Sequence, residues 1–164
     1  MKVIPAVPLT AGAFAPFGEV LEAAGTPDLL INQGKCARYH DRANLHFSDG
    51  RAGLSLFKAA PRSLPYRLEM LERHPLGSQA FLPMTEHPFL VIVAPDRGGC
   101  PGTPRAFLTA PCQGVNFAHG TWHGVLTPLH APGLFAVVDR IGEGNNLEEH
   151  FLPEPATITH PSGD

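Results

Sequence analysis

Proline and glycine interrupt this chain so often that a long helix has little room to form. The sequence contains 18 Pro and 17 Gly among 164 residues, and both residue types favour turns over helix interiors. Short alternating or continuously apolar stretches lie between them, and these are typical of strands. We therefore expect one domain over residues 1–164, an all-β antiparallel barrel or jelly roll of about ten strands with one or two short helices.

Several segments illustrate this pattern. Phe89–Ala94 is a continuous apolar run, which predicts a central strand buried on both faces. Residues 66–74 alternate at period two, although Leu68, Leu71 and Glu72 also fit helical spacing. The prolines that flank this segment favour the strand. We place a short helix near residues 146–151.

The C-terminal tail, from about residue 153, is rich in proline. Proline cannot donate a backbone hydrogen bond to a neighbouring strand, and chain ends often fray. We therefore expect this tail to be flexible.

The composition argues against several classes of protein. The net charge of −3 gives no electrostatic reason to bind nucleic acid or an anionic membrane. No apolar run approaches the roughly 18 residues that span a bilayer, and the N-terminus lacks signal-peptide features. Cys36, Cys100 and Cys112 are odd in number and widely spaced, so a disulfide framework is not expected. We predict a cytoplasmic protein.

Four side chains have the spacing of an open metal site. Glu72 and His74 are two residues apart, so on an extended strand they point to the same face. Gln79 follows across a turn at residues 75–77, and His123 comes from a separate strand. Oxygen and nitrogen ligands from a hairpin, completed by a residue from elsewhere, can hold a divalent metal in a barrel.

These residues resemble the two halves of the cupin metal motif. His74 stands at the second histidine of the first half, Glu72 replaces the first histidine and Gln79 replaces the glutamate. In the second half Gly120 and His123 match. Other positions depart from the motif: Ala118 replaces its proline, and Glu86 and Thr127 replace its closing glycine and asparagine.

A more specific resemblance covers the chain from about residue 9 to residue 142. Four strings, in this order and at these separations, resemble the ureidoglycolate lyase family of allantoin utilisation: residues 38–41 (Arg-Tyr-His-Asp), residues 72–81, residues 114–116 with Trp122 and His123, and residues 139–140. The resemblance implies a cupin-like barrel, a homodimer, and cleavage of (S)-ureidoglycolate to glyoxylate and urea. It also implies a divalent metal, with nickel as the named ion, and no organic cofactor.

The reaction assigns roles to particular residues. Ureidoglycolate carries a hydroxyl, a carboxylate and a urea nitrogen on one carbon, so cleavage needs a base, an acid and a seat for the carboxylate. Glu72, His74 and His123 are predicted to be catalytic as well as metal-binding, and His40 is a candidate proton donor. Arg38 and Lys58 are candidates for the carboxylate, with Tyr39 and Trp122 beside the substrate.

Each assignment has a structural alternative. Arg38 could form an ion pair with Asp41 or Asp139, Lys58 could be a solvated strand-end lysine, and Trp122 could be a core residue. Arg73 should point away from His74 and be structural, and Asp139 could orient a histidine. The remaining histidines are interpreted as surface residues, with His119 as a possible exception because it flanks the second motif.

Other functions also remain open at this point. A different metal-dependent cupin enzyme, such as an oxygenase or an isomerase, would use the same pocket. A non-catalytic sensor would bind a small acid without turnover. An amidohydrolase acting on ureidoglycolate would release ammonia instead of urea.

Overall fold

Residues 2–161 of the chain are described by a computed structural model. They form fifteen strands and one short helix. The helix α1 is Ala11–Phe14, and the strands are β1 (Lys2–Pro5), β2 (Val7–Pro8), β3 (Gly18–Leu21), β4 (Leu29–Ile31), β5 (Cys36–Arg38), β6 (Arg51–Ala59), β7 (Tyr66–Arg73), β8 (Gln79–Pro83), β9 (Phe89–Ala94), β10 (Arg105–Leu108), β11 (Gly114–Phe117), β12 (Trp122–His123), β13 (Thr127–Pro128), β14 (Gly133–Ile141) and β15 (Glu148–Thr159). No helix in this range is both long and apolar enough to cross a membrane.

Two sheets form the body of the molecule. The larger sheet has eight strands in the order β1-β15-β7-β12-β9-β10-β2, with β13 paired to β9. The smaller sheet has five strands in the order β3-β11-β8-β14-β6. The pairing is antiparallel except at β1–β15 and β2–β10, which are parallel. This arrangement confirms the predicted all-β, cupin-like barrel.

The central strand β9 separates two hydrophobic cores. Phe89, Val91 and Val93 face a core between the two sheets, which we call the barrel core. Leu90 and Ile92 face a second core on the other side of the large sheet, together with residues from β1, β7 and β15. All six residues of the strand are buried, as its continuous apolar run predicts.

The alternation predicted for residues 66–74 holds only in part. The segment is a strand, but Leu68 and Leu71 both pack in the second core, although they are three residues apart. The partner strand β15 has a register shift between Phe151, opposite Met70, and Ala156, opposite Leu68. Extra residues on one strand break the ladder and locally change which side chains face the core. The sequence of β7 alone does not reveal this irregularity.

The C-terminal segment differs from its prediction. Residues 146–151 contain no helix, and Glu148–Thr159 instead forms one strand held between β1 and β7. The prediction of a flexible tail from about residue 153 is therefore wrong as far as Thr159, while residues 162–164 lie outside the described part. The prolines in this strand, Pro153 and Pro155, fall within the register shift, where donation to a ladder is not required.

The packing of β15 predicts a measurable contribution to stability. Ile158 is fully buried in the second core, so Ile158→Ala should lower the free energy of unfolding by about 2–5 kcal/mol. Thr157→Ala, on the other face of the same strand, should cost less than about 1 kcal/mol. Urea unfolding of both variants measures the difference. Equally small losses in the free energy of unfolding for the two variants would contradict the packing of β15 against the second core.

Candidate metal centre

Three predicted ligands meet at one end of the barrel core. Glu72 lies on β7, His74 follows the end of that strand, and His123 lies on β12 directly opposite Glu72. One possible ligand atom from each residue lies within 4.8 Å of the other two. His123 also pairs with Val93, whose side chain faces the barrel core, so the cluster points into the barrel.

Backbone carbonyls determine which nitrogen of each histidine is free. His123 Nδ1 lies 2.9 Å from the Gly124 carbonyl oxygen, and His74 Nδ1 lies 2.7 Å from that of Asn146. A carbonyl can only accept, so each Nδ1 carries the proton and each Nε2 keeps its lone pair. Both Nε2 atoms are buried and have no hydrogen-bond partner. This is the arrangement of metal-binding histidines whose second nitrogen is held by a protein oxygen.

The Gln79 side chain is also held at one atom by a protein oxygen and leaves a buried acceptor atom without a partner. Its side-chain nitrogen donates to Asp139 Oδ2 over 3.3 Å, while its buried Oε1 has no partner. Gln79 stands opposite Phe117, which belongs to the barrel core, so both side chains face the interior. Asp139 therefore orients the predicted glutamine ligand, rather than a histidine.

The orphaned atoms are few and concentrated. Within residues 2–161, four buried side-chain atoms lack a partner, and three belong to predicted ligands. The fourth is Asn116 Oδ1, and the amide nitrogen of that residue donates to Glu19 and to the Asn44 carbonyl. Buried polar atoms are normally hydrogen-bonded, so the cluster is suited to a ligand that accepts their lone pairs.

The surroundings favour the metal-binding protonation states of the histidines. Burial lowers the pKa of His123 to about 3, so its ring is neutral near neutral pH. Phe117 stacks on this ring with a centroid distance of 4.3 Å and an interplanar angle of 7°, which fixes its orientation. Burial raises the pKa of the Glu72 carboxyl, although positive charge on His74 acts against this shift and the charge of Glu149 adds to it.

Two of the predicted substrate residues and the predicted proton donor His40 lie elsewhere. Arg38 ends β5, which pairs only with β4 in a separate two-stranded sheet. The Tyr39 hydroxyl donates to the Gly25 carbonyl, and the His40 backbone is held by Asp28. Tyr39 also lies in a cleft with Leu82, at the end of β8 remote from Gln79. The structure therefore does not bring Arg38, Tyr39 or His40 to the cluster within one chain.

Lys58 is also remote from the cluster. It is exposed and stands opposite Leu134, which is five residues before Asp139 on β14, or about 17 Å along the strand. Its neighbour Phe57 packs against the barrel core, so Lys58 faces outward. The prediction that it receives the substrate carboxylate in its own chain is not supported by this position.

Trp122 and Arg73 form a structural unit on the other side of β12. Trp122 is buried in the second core, and its indole nitrogen donates to Asp96 over 2.9 Å. The Arg73 guanidinium carbon lies 4.5 Å from the centre of the Trp122 ring, and Arg73 forms ion pairs with Asp96 and Glu148. Trp122 therefore does not share a face with His123, and Arg73 is structural as expected.

Two neighbours of the ligands were not predicted. Asn146 holds His74 through its carbonyl and accepts the Leu76 amide through Oδ1, at 2.8 Å. Phe117 stacks on His123. Asn146 is separated from His74 by 72 residues, and its neighbours in sequence are those of an ordinary polar turn. Phe117 carries only the signal of a core aromatic residue.

Comparison with known proteins finds one family along nearly the whole chain. The family model described as "Ureidoglycolate lyase" matches residues 1–159. A protein of Rhodobacter capsulatus named "Ureidoglycolate lyase" is 60% identical over 152 residues, which cover 92% of this chain and 94% of that protein. A protein of Chelativorans sp. with the same name is 55% identical, covering 98% and 99%. "Ureidoglycolate lyase 2" of Rhizobium meliloti is 52% identical with the same coverage.

The lowered pKa of His123 makes the stability of the metal-free protein depend on pH. The folded ring stays neutral down to a pKa of about 3, whereas the unfolded chain takes up this proton near pH 6.5. The unfolded state binds more protons between these values. The free energy of unfolding should therefore fall as pH drops from about 6.5 toward 3, by up to about 1.4 kcal/mol per pH unit.

Urea unfolding of the chelator-treated protein at a series of pH values tests this expectation. His123→Asn cannot take up the proton, so its stability relative to the wild type should rise as pH falls. The exposed His160 supplies a matched control, His160→Asn. The raised pKa of Glu72 acts with the opposite sign but is present in all three proteins. A wild-type-to-variant difference that is constant with pH would contradict a neutral, buried His123.

Proposed function

The chain belongs to the ureidoglycolate lyase family, and we propose that it cleaves (S)-ureidoglycolate to glyoxylate and urea by carbon–nitrogen elimination. The observation that carries this proposal is the convergence of Glu72, His74 and His123, whose possible ligand atoms lie within 4.8 Å of one another, with an orphaned buried Nε2 on each histidine. These residues lie in segments on which the resemblance to the family rests. The enzyme is accordingly a carbon–nitrogen lyase acting on a small-molecule substrate.

We propose that Glu72, His74, Gln79 and His123 hold a divalent metal ion. Two neutral imidazoles, a carboxylate and an amide oxygen are a donor set for first-row transition metals, including the nickel implied by the family resemblance. A divalent ion supplies positive charge that lowers the pKa of a nearby hydroxyl. The four side chains would hold the ion, which would supply this positive charge beside a bound substrate, and no organic cofactor is required.

The side chains of the centre also act on protons directly. Elimination removes the hydroxyl proton, forms a carbonyl and breaks the bond from carbon to nitrogen. The Glu72 carboxylate, whose pKa is raised by burial, is a stronger proton acceptor than an exposed one. Its side chain is 20% exposed, so a small substrate can reach it, while His123 at 2% lies deeper. We therefore assign Glu72 a second role as the base, besides its place among the metal ligands, and the two histidines to binding alone.

The metal proposal predicts the behaviour of the ligand variants. His74→Ala and His123→Ala should each lower kcat by more than about a hundredfold, because loss even of a residue that only orients a ligand costs about 10–100-fold. Both should also lose tight nickel binding, measured by calorimetry and elemental analysis. Gln79→Ala should bind nickel more weakly, with a smaller loss, because a neutral amide is a weak ligand.

His160→Ala is the matched control, because His160 is an exposed histidine. Circular dichroism checks that each variant is folded. Wild-type activity and wild-type nickel affinity in a folded His74→Ala or His123→Ala would reject the assignment of the centre.

Product analysis separates the proposed reaction from hydrolysis. The purified protein is incubated with racemic ureidoglycolate, and glyoxylate, urea and ammonia are measured in one sample against the uncatalysed rate. Equal amounts of glyoxylate and urea without ammonia are expected. Ammonia without urea would make the protein an amidohydrolase, and no acceleration in nickel-supplemented protein would reject the substrate.

We also propose that the protein is a homodimer. The outer face of the smaller sheet exposes Leu54 and Leu56 at 73% and 69%. They stand opposite Val138 and Ala136 on β14, and Ala136 in turn stands opposite the partly exposed Leu82. A contiguous exposed apolar surface of this kind is typical of a subunit interface. This surface supports the association of a second copy through the smaller sheet.

The dimer proposal predicts a change in mass. The wild type should sediment at twice the mass of one chain, and the double variant Leu54→Glu, Leu56→Glu should sediment as a monomer, because two buried charges would be unpaired. Val3→Glu is the control, since Val3 is also exposed but lies on β1. A wild-type monomer, or a double variant that remains dimeric, would contradict this interface.

The cysteines support the proposed cytoplasmic location. Cys36, Cys100 and Cys112 are all free thiols. Free thiols persist in reducing compartments and are readily oxidised outside them.

A further inference from the structure

Two exposed histidines meet on the surface, outside the candidate metal centre. The ring centroids of His87 and His130 lie 5.4 Å apart, and the ring planes meet at 37°. Both residues are exposed. His87 comes shortly before β9, and His130 comes shortly after β13. We call these two residues the surface pair.

The antiparallel pairing of β13 with β9 explains why the two side chains meet. Pro128 stands opposite Phe89 in this pairing. Residues directly opposite each other in an antiparallel pair point to the same face, with Cβ atoms about 4.5–5.5 Å apart. The same register, continued by two residues, places His130 opposite His87, and the ring distance agrees with that placement. The fold therefore builds the surface pair from residues that are distant in sequence.

The ring geometry of the surface pair matches that of the candidate metal centre. The rings of His74 and His123 lie 5.3 Å apart at 38°, against 5.4 Å and 37° in the surface pair. An imidazole nitrogen binds zinc at about 2.1 Å and the ring centre lies about 1.2 Å behind it, so two rings on one tetrahedral ion have centres about 5.3 Å apart. The surface pair therefore has the separation at which one ion contacts both rings.

Another exposed histidine pair lacks these features. The rings of His46 and His119 lie closer, at 4.3 Å, and His46 Nε2 lies 2.7 Å from Ser48 Oγ. In the surface pair, the His87 backbone amide donates to Thr85 Oγ1, but no ring nitrogen has a hydrogen-bond partner within residues 2–161. The ring nitrogens of the surface pair are therefore free to bind an ion.

The length of β9 separates the surface pair from the candidate centre. His87 lies two residues before the start of this strand, whereas His123 stands opposite Val93, near its other end. Six residues of extended chain span about 20 Å. An ion at the surface pair would therefore be distinct from one at the centre and would not contact a substrate there.

We propose that His87 and His130 bind a second divalent transition-metal ion, such as nickel, zinc or copper, with water completing its coordination. Imidazole nitrogen is a favoured ligand of these ions. Glu86, which is exposed and adjacent to His87, adds negative charge that attracts a cation. Because only two side chains hold this ion, it should bind less tightly than an ion held by four. The inference does not depend on the lyase function.

Calorimetric titration with nickel counts the ions bound by the metal-free full-length protein, prepared without a histidine tag. The wild type is expected to bind two ions per chain, one tightly and one more weakly. His87→Ala and His130→Ala should each lose the weaker ion and keep both the tight ion and wild-type turnover. His160→Ala, which removes an exposed histidine outside the pair, should bind two ions as the wild type does.

Nuclear magnetic resonance locates the weaker ion. Nickel bound by nitrogen and water ligands is paramagnetic and broadens the signals of nearby protons. In protein that already holds one equivalent of nickel, further nickel should broaden the ring-proton signals of His87 and His130 before those of His160. The same addition should leave the His160 signals sharp until nickel is in large excess.

Other outcomes would overturn the inference. These are a wild type that binds a single ion, or a weaker ion that persists with wild-type affinity in His87→Ala and His130→Ala. Loss of the weaker ion in His46→Ala instead would assign it to the other histidine pair. Equal weak binding by the wild type and the double variant His87→Ala, His130→Ala would indicate an adventitious ion only. A protein that lacks the tight ion but loses the weaker one in His87→Ala would reject the candidate centre and support the surface pair.

Discussion

Two backbone carbonyls determine the chemistry of this barrel. The carbonyls of Gly124 and Asn146 accept the Nδ1 protons of His123 and His74, which leaves both Nε2 lone pairs facing the interior. Without these bonds either ring could turn or change tautomer, and the two buried Nε2 atoms would no longer be available as acceptors. The centre therefore depends on the path of the backbone as much as on the identity of its ligands.

The two-core architecture explains why this path is rigid. The large sheet is buried on both faces along β9, so its neighbour β12 can place Trp122 in one core and His123 in the other. Trp122 is fixed further by Asp96 and Arg73. Trp122, Asp96 and Arg73 lie on the far side of the sheet from the ligands. They hold β12 in position and so determine the direction in which the His123 side chain points.

The sequence predicted local features well and distant pairings poorly. Strand character follows from period-two geometry and is confirmed for residues 66–73, whereas the helix predicted near residues 146–151 is absent. Asn146 and the docking of residues 156–159 depend on partners some 70–155 positions away, which no local pattern encodes. Arg38 and Lys58 are predicted at the site because the reaction needs a positive charge for the substrate carboxylate, but the fold puts both on outer surfaces. A charged residue in a strand-rich sequence is compatible with either end of a barrel, so the residue type alone does not predict its position.

The same orphaned atoms link function to stability. A buried polar group without a partner costs about 1–3 kcal/mol, and three of them lie in this cluster. Their combined cost is a sizeable part of the roughly 5–15 kcal/mol that stabilises a domain. The barrel core, with Phe81, Phe117 and Phe135 packed around it, offsets this cost. A ligand that accepts the lone pairs removes the cost in the folded state alone, so above its Kd binding stabilises the fold by an amount that grows with the logarithm of ligand concentration. The cluster is therefore held in place by hydrophobic packing, and the metal ion that we propose would satisfy its acceptor atoms.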